Sequence, residues 1–217
     1  MMTPVGGVMN AQIPTISRAG WSRIEAEHDI DAAAEVLGHP VLADVLRLWR
    51  GLCARGQLPL RENLDTLILQ PEIFPQIALL EGVERCGRRD LRYRLVGIGI
   101  ARNFGADMTG RYVRDVGDNV TYAEELISLG WQVINRKQPV ATVGQFFPTQ
   151  SAGEPIMVHR LGLPMRPLPS GTPLILASQV CSAGGEIVDR PVHHLNAYVP
   201  GNVIAFVDPA VGRGPAK

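Results

Sequence analysis

Cysteine is scarce in this chain: Cys53, Cys86 and Cys181 are spread over 217 positions. Their number is odd and no Cys-x-x-Cys spacing occurs, so neither a zinc knuckle nor a disulfide framework is indicated. Free thiols fit a reducing cytoplasm. Neither sign of charge is in excess, with 21 Lys and Arg against 21 Asp and Glu. A formally neutral chain makes no electrostatic case for nucleic acid or an anionic membrane as main partner. Weak self-repulsion leaves room for self-association. Long apolar runs are missing as well: none approaches the ~18 residues that span a bilayer. The N-terminal stretch lacks a basic segment followed by a long apolar one, so no secretory signal is read there. The expectation is a soluble, cytoplasmic protein.

What is present is a core. Apolar residues make up 46% of the chain, enough for a packed globular domain rather than disorder. Residues 1–20 carry Gly, Pro and Met without periodicity and read as a flexible arm. Trp21 to Leu37 turns charged and Ala-rich, with room for a short helix that Asp29 or Asp31 would cap and Gly38 would end. From Pro40 the pattern sharpens. Val41, Leu42, Val45, Leu46, Leu48, Trp49 and Leu52 recur at spacings of three and four, with Asp44, Arg47 and Arg50 largely opposite, which predicts an amphipathic helix stopped at Gly56. Asn63 and Asp65 are placed to start another turn near Thr66.

The period then changes. Ile73 to Leu80 reads as a short strand, and Glu81-Gly82 begins a charged turn that runs to Asp90. Leu91, Tyr93 and Leu95 alternate with Arg92 and Arg94 as in a half-buried strand, so the pair suggests a hairpin. Four glycines between 98 and 120 leave room for short turns and short helices but not for a long helix. Tyr122, Leu126, Leu129 and Val133 restore helical spacing over 121–138, closed by Pro139. Val140–Phe147, Ile156–Leu163 and Leu174–Val180 read as three further strands, separated by Pro- and Gly-containing turns. Strands adjacent in sequence favour an antiparallel sheet with helices on one face. Beyond 183, Val203–Val207 alternates before a Gly/Pro tail.

From about Val41 to Val180 this order resembles the PAS fold, and the stretch is similar to a compact bacterial family of single-PAS proteins. The words that carry the resemblance are Leu48-Trp49-Arg50-Gly51, Leu58-Pro59-Leu60-Arg61, Tyr93-Arg94-Leu95-Val96-Gly97 and Phe104-Gly105-Ala106-Asp107-Met108-Thr109-Gly110. It implies an α+β domain: a five-stranded antiparallel sheet with one concave face covered by helices, plus N-terminal flanking helices. The expected organisation is an arm and short helix over 1–38, a PAS-like domain over 39–183 with its core at about 72–180, and an extension over 184–217. The resemblance implies a sensory role without catalysis, by binding a small-molecule ligand or by docking a signalling protein. PAS domains often dimerise through flanking helices, so Leu42, Val45, Leu46 and Trp49 are the candidate cap or homodimer surface. Haem is disfavoured because 121–138 lacks a histidine, and flavin because no cysteine stands in an Asn-Cys-Arg context.

If the long helix covers the sheet, Trp131 and a polar neighbour such as Gln132 or Asn135 are candidates to face a ligand cavity. Phe146, His159 and Gln179 join them from the strands, although Trp131 also suits ordinary packing and His159 a hydrogen-bonded core position. Alternation puts His159 on the face of Met157, Leu161 and Leu163. Gly97-Ile98-Gly99-Ile100-Ala101-Arg102 follows a strand, but Arg102 replaces the third glycine of a dinucleotide fingerprint. A small nucleotide-binding enzyme using Gly97–Gly105 is therefore an alternative, as is a ligand-free structural adaptor. His193 and His194 are adjacent and point to opposite faces, with no metal spacing nearby. Glu124 and Glu125 are splayed on a helix and do not make an acid–base pair. Ser170 and Ser182 lie in no nucleophile elbow, so no catalytic residue and no metal ligand is assigned.

Overall fold

The computed structural model describes residues 26–29, 33–53, 56–65, 70–117, 119–147, 154–192 and 197–207. The expected arm, His193, His194, the turn near Thr66 and the terminal tail fall outside these residues. The described strands are β1 (Ala26–Asp29), β2 (Ile77–Arg85), β3 (Arg88–Val96), β4 (Val140–Phe147), β5 (Ile156–Met165), β6 (Leu174–Ala183), β7 (Glu186–Ile187) and β8 (Ala197–Val207). Among the described residues four α-helices accompany them: α1 (Ala33–Val36), α2 (Pro40–Leu52), α3 (Ile98–Phe104) and α4 (Val120–Arg136).

Among the described residues one sheet runs β1-β8-β4-β5-β6-β2-β3, with the short β7 paired to β6. The run β4-β5-β6-β2-β3, which ends at the β3 edge, is antiparallel throughout. Helices α3 and α4 are inserted between the second and third of these five strands in chain order. Five antiparallel strands with α3 and α4 across one face make the domain α+β and PAS-like, while α2 packs on the opposite face instead of leaving it bare.

The sheet does not stop there. β8 pairs antiparallel with β4, and β1 pairs parallel with β8, Ala26 opposite Ile204. Part of the segment expected to hold a short helix is thus a strand, because the outer edge of β8 gives its backbone a partner. The alternating run at Val203–Val207 belongs to β8, which satisfies the edge β4 would otherwise leave open.

The hairpin also extends further than its charges suggested. β2 begins after a 3-10 turn at Phe74–Gln76, where Pro75 has no ladder N–H to give, and continues to Arg85. The reversal is only Cys86-Gly87, both at positive φ (51° and 70°), as a two-residue hairpin turn requires. The expected long charged turn is instead strand because its charges pair across the ladder. Glu81 is buried opposite Arg92, whose Nε lies 2.5 Å from it, with the Arg94 Nε at 3.7 Å.

Both faces of the sheet are covered. α3 and α4 cover Leu80, Leu91, Tyr93, Ile175, Val158 and Phe146. α2 covers the other face, packing Leu42, Val45, Leu46 and Trp49 against Leu161, Leu163, Leu174 and Leu176. The Trp49 indole N–H donates to the Pro164 carbonyl at 2.9 Å. β5 is buried along nearly its whole length for this reason. No helix among the described residues is long and apolar enough to cross a membrane.

Candidate functional site

Strand alternation puts Thr142, Gly144 and Phe146 of β4, Val158 and Arg160 of β5, and Gln179 and Cys181 of β6 beneath α4. Arg160 is the unexpected one. It is 2% exposed, and a guanidinium so buried requires partners. Its Nη1 donates to the Tyr198 hydroxyl at 2.8 Å and to Thr142 Oγ1 at 3.4 Å, and its Nε donates to Gln179 Oε1 at 3.1 Å. Glu125 of α4, equally buried, stands 3.4 Å from Nη1. The Tyr198 hydroxyl donates in turn to the Glu125 carboxylate, and the Tyr122 hydroxyl donates to Gln179 Oε1 at 2.7 Å.

Aromatic rings wall this cluster. The guanidinium carbon lies 4.5 Å from the Tyr122 ring centre and 5.2 Å from that of Tyr198, within cation–π range. Tyr122, Phe146 and Tyr198 pack on one another with centroids 5.0–5.5 Å apart. Gly144 leaves the space that Tyr198 fills, since a Cβ there would strike the phenol. A bulge between Thr142 and Gly144 shifts the β8 register by one residue beside Tyr198.

Burial sets the electrostatics. It pushes the Tyr122 phenol up to about 12 and the Tyr198 phenol well above its ordinary range, so both stay neutral donors. Burial opposes charge on Arg160, but Tyr198, Glu125 and Tyr122 outweigh it and raise its pKa well above the ordinary value. The Cys181 thiol is pushed up to about 12, chiefly by burial, which leaves it a small packed side chain and not a nucleophile. Two atoms of the cluster stay without a hydrogen bond: Nη2 of Arg160 and Oε1 of Glu125. Beside the cluster, Leu80, Tyr93, Ile100, Leu126 and Leu129 help to line a cavity of about 20 Å³. That volume suits a single water-sized occupant.

Two of the ligand-site candidates, Phe146 and Gln179, lie in this cluster. Trp131 lies towards the hairpin end, its indole N–H donating to the Asp90 carbonyl at 3.4 Å and the Arg89 guanidinium 4.5 Å over its ring. Asn135 is exposed and faces away from the core, because it falls two positions past Val133 on α4. His159 faces α2, on the opposite side of the sheet from Arg160, as its alternation with Leu161 and Leu163 requires. Leu42, Val45, Leu46 and Trp49 serve as a cap on the chain's own sheet.

Arg160, Thr142 and Tyr198 were not singled out by sequence reasoning, Tyr122 was read only as part of a helix stripe, and Glu125 was weighed only as an acid–base partner of Glu124 and set aside. A carboxylate three residues after Tyr122 on the buried face of a helix, and an arginine midway along an apolar strand, were the available signals. Among the described residues no group of three or more His, Cys, Asp or Glu is placed to hold a metal.

The glycines at 97 and 99 have a packing cause. A Cβ on Gly97 would run into the Phe74 carbonyl and lie 2.6 Å from that of Pro75; one on Gly99 would lie 2.8 Å from the Pro75 carbonyl. Gly97→Ala should therefore destabilise the fold by ~1–3 kcal/mol, read from urea unfolding, while ATP, GTP and NAD leave the melting temperature of the unmodified chain unchanged. Nucleotide-dependent stabilisation would restore the loop as a phosphate site.

No protein-family model matches this chain, and no curated protein does. Among solved structures, a fungal LOV domain photoreceptor is 17% identical, with 70% of this chain and 99% of that chain covered at a TM-score of 0.36. The ligand-binding domain of an amino-acid chemoreceptor of Pseudomonas aeruginosa, solved with GABA, is 14% identical, with 70% and 60% covered at a TM-score of 0.30. These likenesses are too weak to carry function. Strand order and the position of α3 and α4 make this a PAS-like α+β domain.

Proposed function

We propose that this chain is a PAS-type regulatory domain that signals through a partner protein and has no catalytic activity of its own. The sensory class comes by analogy of fold. The observation that supports partner docking over binding of an organic ligand is how little space the described residues leave beneath α4 beside the Arg160 cluster. The cavity there of about 20 Å³ is far short of the ~300–1,000 Å³ that hold drug-sized molecules. The Arg160 cluster joins α4 to β4, β5, β6 and β8 through side-chain contacts, so a displacement of one element is felt by the others.

A second reading, small-molecule sensing, draws on the unbonded Nη2 of Arg160 in that core. Native mass spectrometry at pH 7.5 of protein taken directly from its expression host separates the two. The expected result is the bare polypeptide mass, together with less than 1 °C of thermal shift across a panel of amino acids and small carboxylates. A retained organic molecule, or a saturable shift of several degrees, would transfer the function to ligand sensing. A homodimer remains part of the proposal, on a surface other than the α2 stripe, which the sheet already buries. Light scattering should then give about twice the 23.6 kDa chain mass, and a strictly monomeric mass at high concentration would remove it.

A further inference from the structure

We propose that His39 and His159 form an acid-sensitive latch that holds the α1–α2 cap on the sheet. The two rings come from elements 120 positions apart in sequence and meet with centroids 6.2 Å apart, tilted by 47°. His159 projects from β5 towards the cap and is almost fully buried. His39 is the N-cap of α2, its Nδ1 accepting from the Val41 N–H at 3.3 Å. The link between α1 and α2 lies directly on the His159 ring. Gly38 sits there at φ +67°, and a Cβ on it would be 3.1 Å from two ring atoms. The Leu37 backbone faces the His159 ring and favours its protonated form, though burial and His39 outweigh it, and Leu37 is 1% exposed.

The Val41 cap and the ring–ring contact depend on neutral imidazoles. Protonating His39 at Nδ1 removes the acceptor that caps α2 and sets a cation at the positive end of the helix dipole. Protonating His159 buries a charge whose Nδ1 has no hydrogen-bond partner. Two imidazolium rings at this separation also repel. The described charged groups acting on His159 are His39 and Arg160, both unfavourable to a further cation; burial alone acts on His39. The residues opposite His159 on the neighbouring strands are Val143 and Val180, neither of which titrates.

The sign follows. Burial lowers both histidines from the ordinary 6.5, and His39 lowers His159 further. The docked cap thus binds fewer protons than the released one. Docking is at full strength above pH 6.5 and weakens as pH falls through that value towards the lowered folded values. Release would uncover Leu161, Leu163, Leu174 and Leu176 on the sheet together with the apolar stripe of α2. That gives the proposed docking function its trigger and rests on that reading only for this consequence.

Amide hydrogen exchange on the full chain tests the latch, with intrinsic rates corrected for pH. Between pH 7.5 and 5.5, protection of α2 should fall at least tenfold while that of α4 holds. In His39→Asn, which keeps an N-cap acceptor, the fall should shrink several-fold with protection at pH 7.5 unchanged. Imidazole titration by NMR on unmodified protein should place His159 below 6.5, independently of how any variant folds. Equal loss over α2 and α4, an undiminished fall in His39→Asn, or titration of His159 at or above 6.5 would each overturn the latch. The ligand and mass measurements at pH 7.5 are unaffected by that outcome, so the two proposals fail separately.

Discussion

Arg160→Met should cost the fold about 3–5 kcal/mol, read as a lowered urea midpoint with an unchanged slope. The guanidinium is 2% exposed and has Glu125 beside it. Methionine fills much of its volume but leaves a buried carboxylate with no cation. The same reasoning makes the double variant Arg160→Met with Glu125→Leu recover most of the loss, since removing both charges also removes both desolvation costs. Recovery stays incomplete because the Tyr198 hydroxyl loses its contacts with both residues. A double-mutant cycle isolates the pair. A loss of only about 1 kcal/mol in the single variant would mean that water reaches the pair in solution.

Trp49→Ala should cost about 3–5 kcal/mol by the loss of a fully buried ring and the void left behind. Trp49 is 0% exposed in the seam between α2 and the sheet, and its N–H is bonded to the Pro164 carbonyl. Trp49→Phe separates packing from polarity: it retains much of the ring and leaves that buried carbonyl without its donor, for about 1–3 kcal/mol. Both changes are read by the same urea titration. An alanine variant as mild as a surface substitution would show that α2 is undocked in solution, which would also remove the structural basis of the histidine latch.

How far these features were legible depended on what each one needs. α2 and α4 each bury one stripe, so spacing of three and four revealed both, down to Leu42, Val45, Leu46 and Trp49. β5 and β6 are buried on both faces, and their mixed apolar runs disclosed strands but not which polar residue had a partner across the core. Arg160 and Glu125 lie 35 positions apart in sequence, and only the packing of α4 on β5 makes them neighbours. The charged residues of 81–90 looked like a turn because each carries a charge. They are strand because Glu81 meets Arg92 on the adjacent strand. β1 was obscured for a similar reason, and β8 showed only its Val203–Val207 alternation: their pairing joins the two ends of the described chain.

That last pairing has a consequence for biosynthesis. β8 is the final described strand, yet it supplies Tyr198 to the polar centre and closes the edge of β4. During translation, α4 and β4–β6 emerge first, and Arg160 waits for Tyr198 until β8 has followed them. Contacts this distant in sequence make for slow folding, and the nascent domain carries an open β4 edge and an incompletely partnered guanidinium until its last strand arrives.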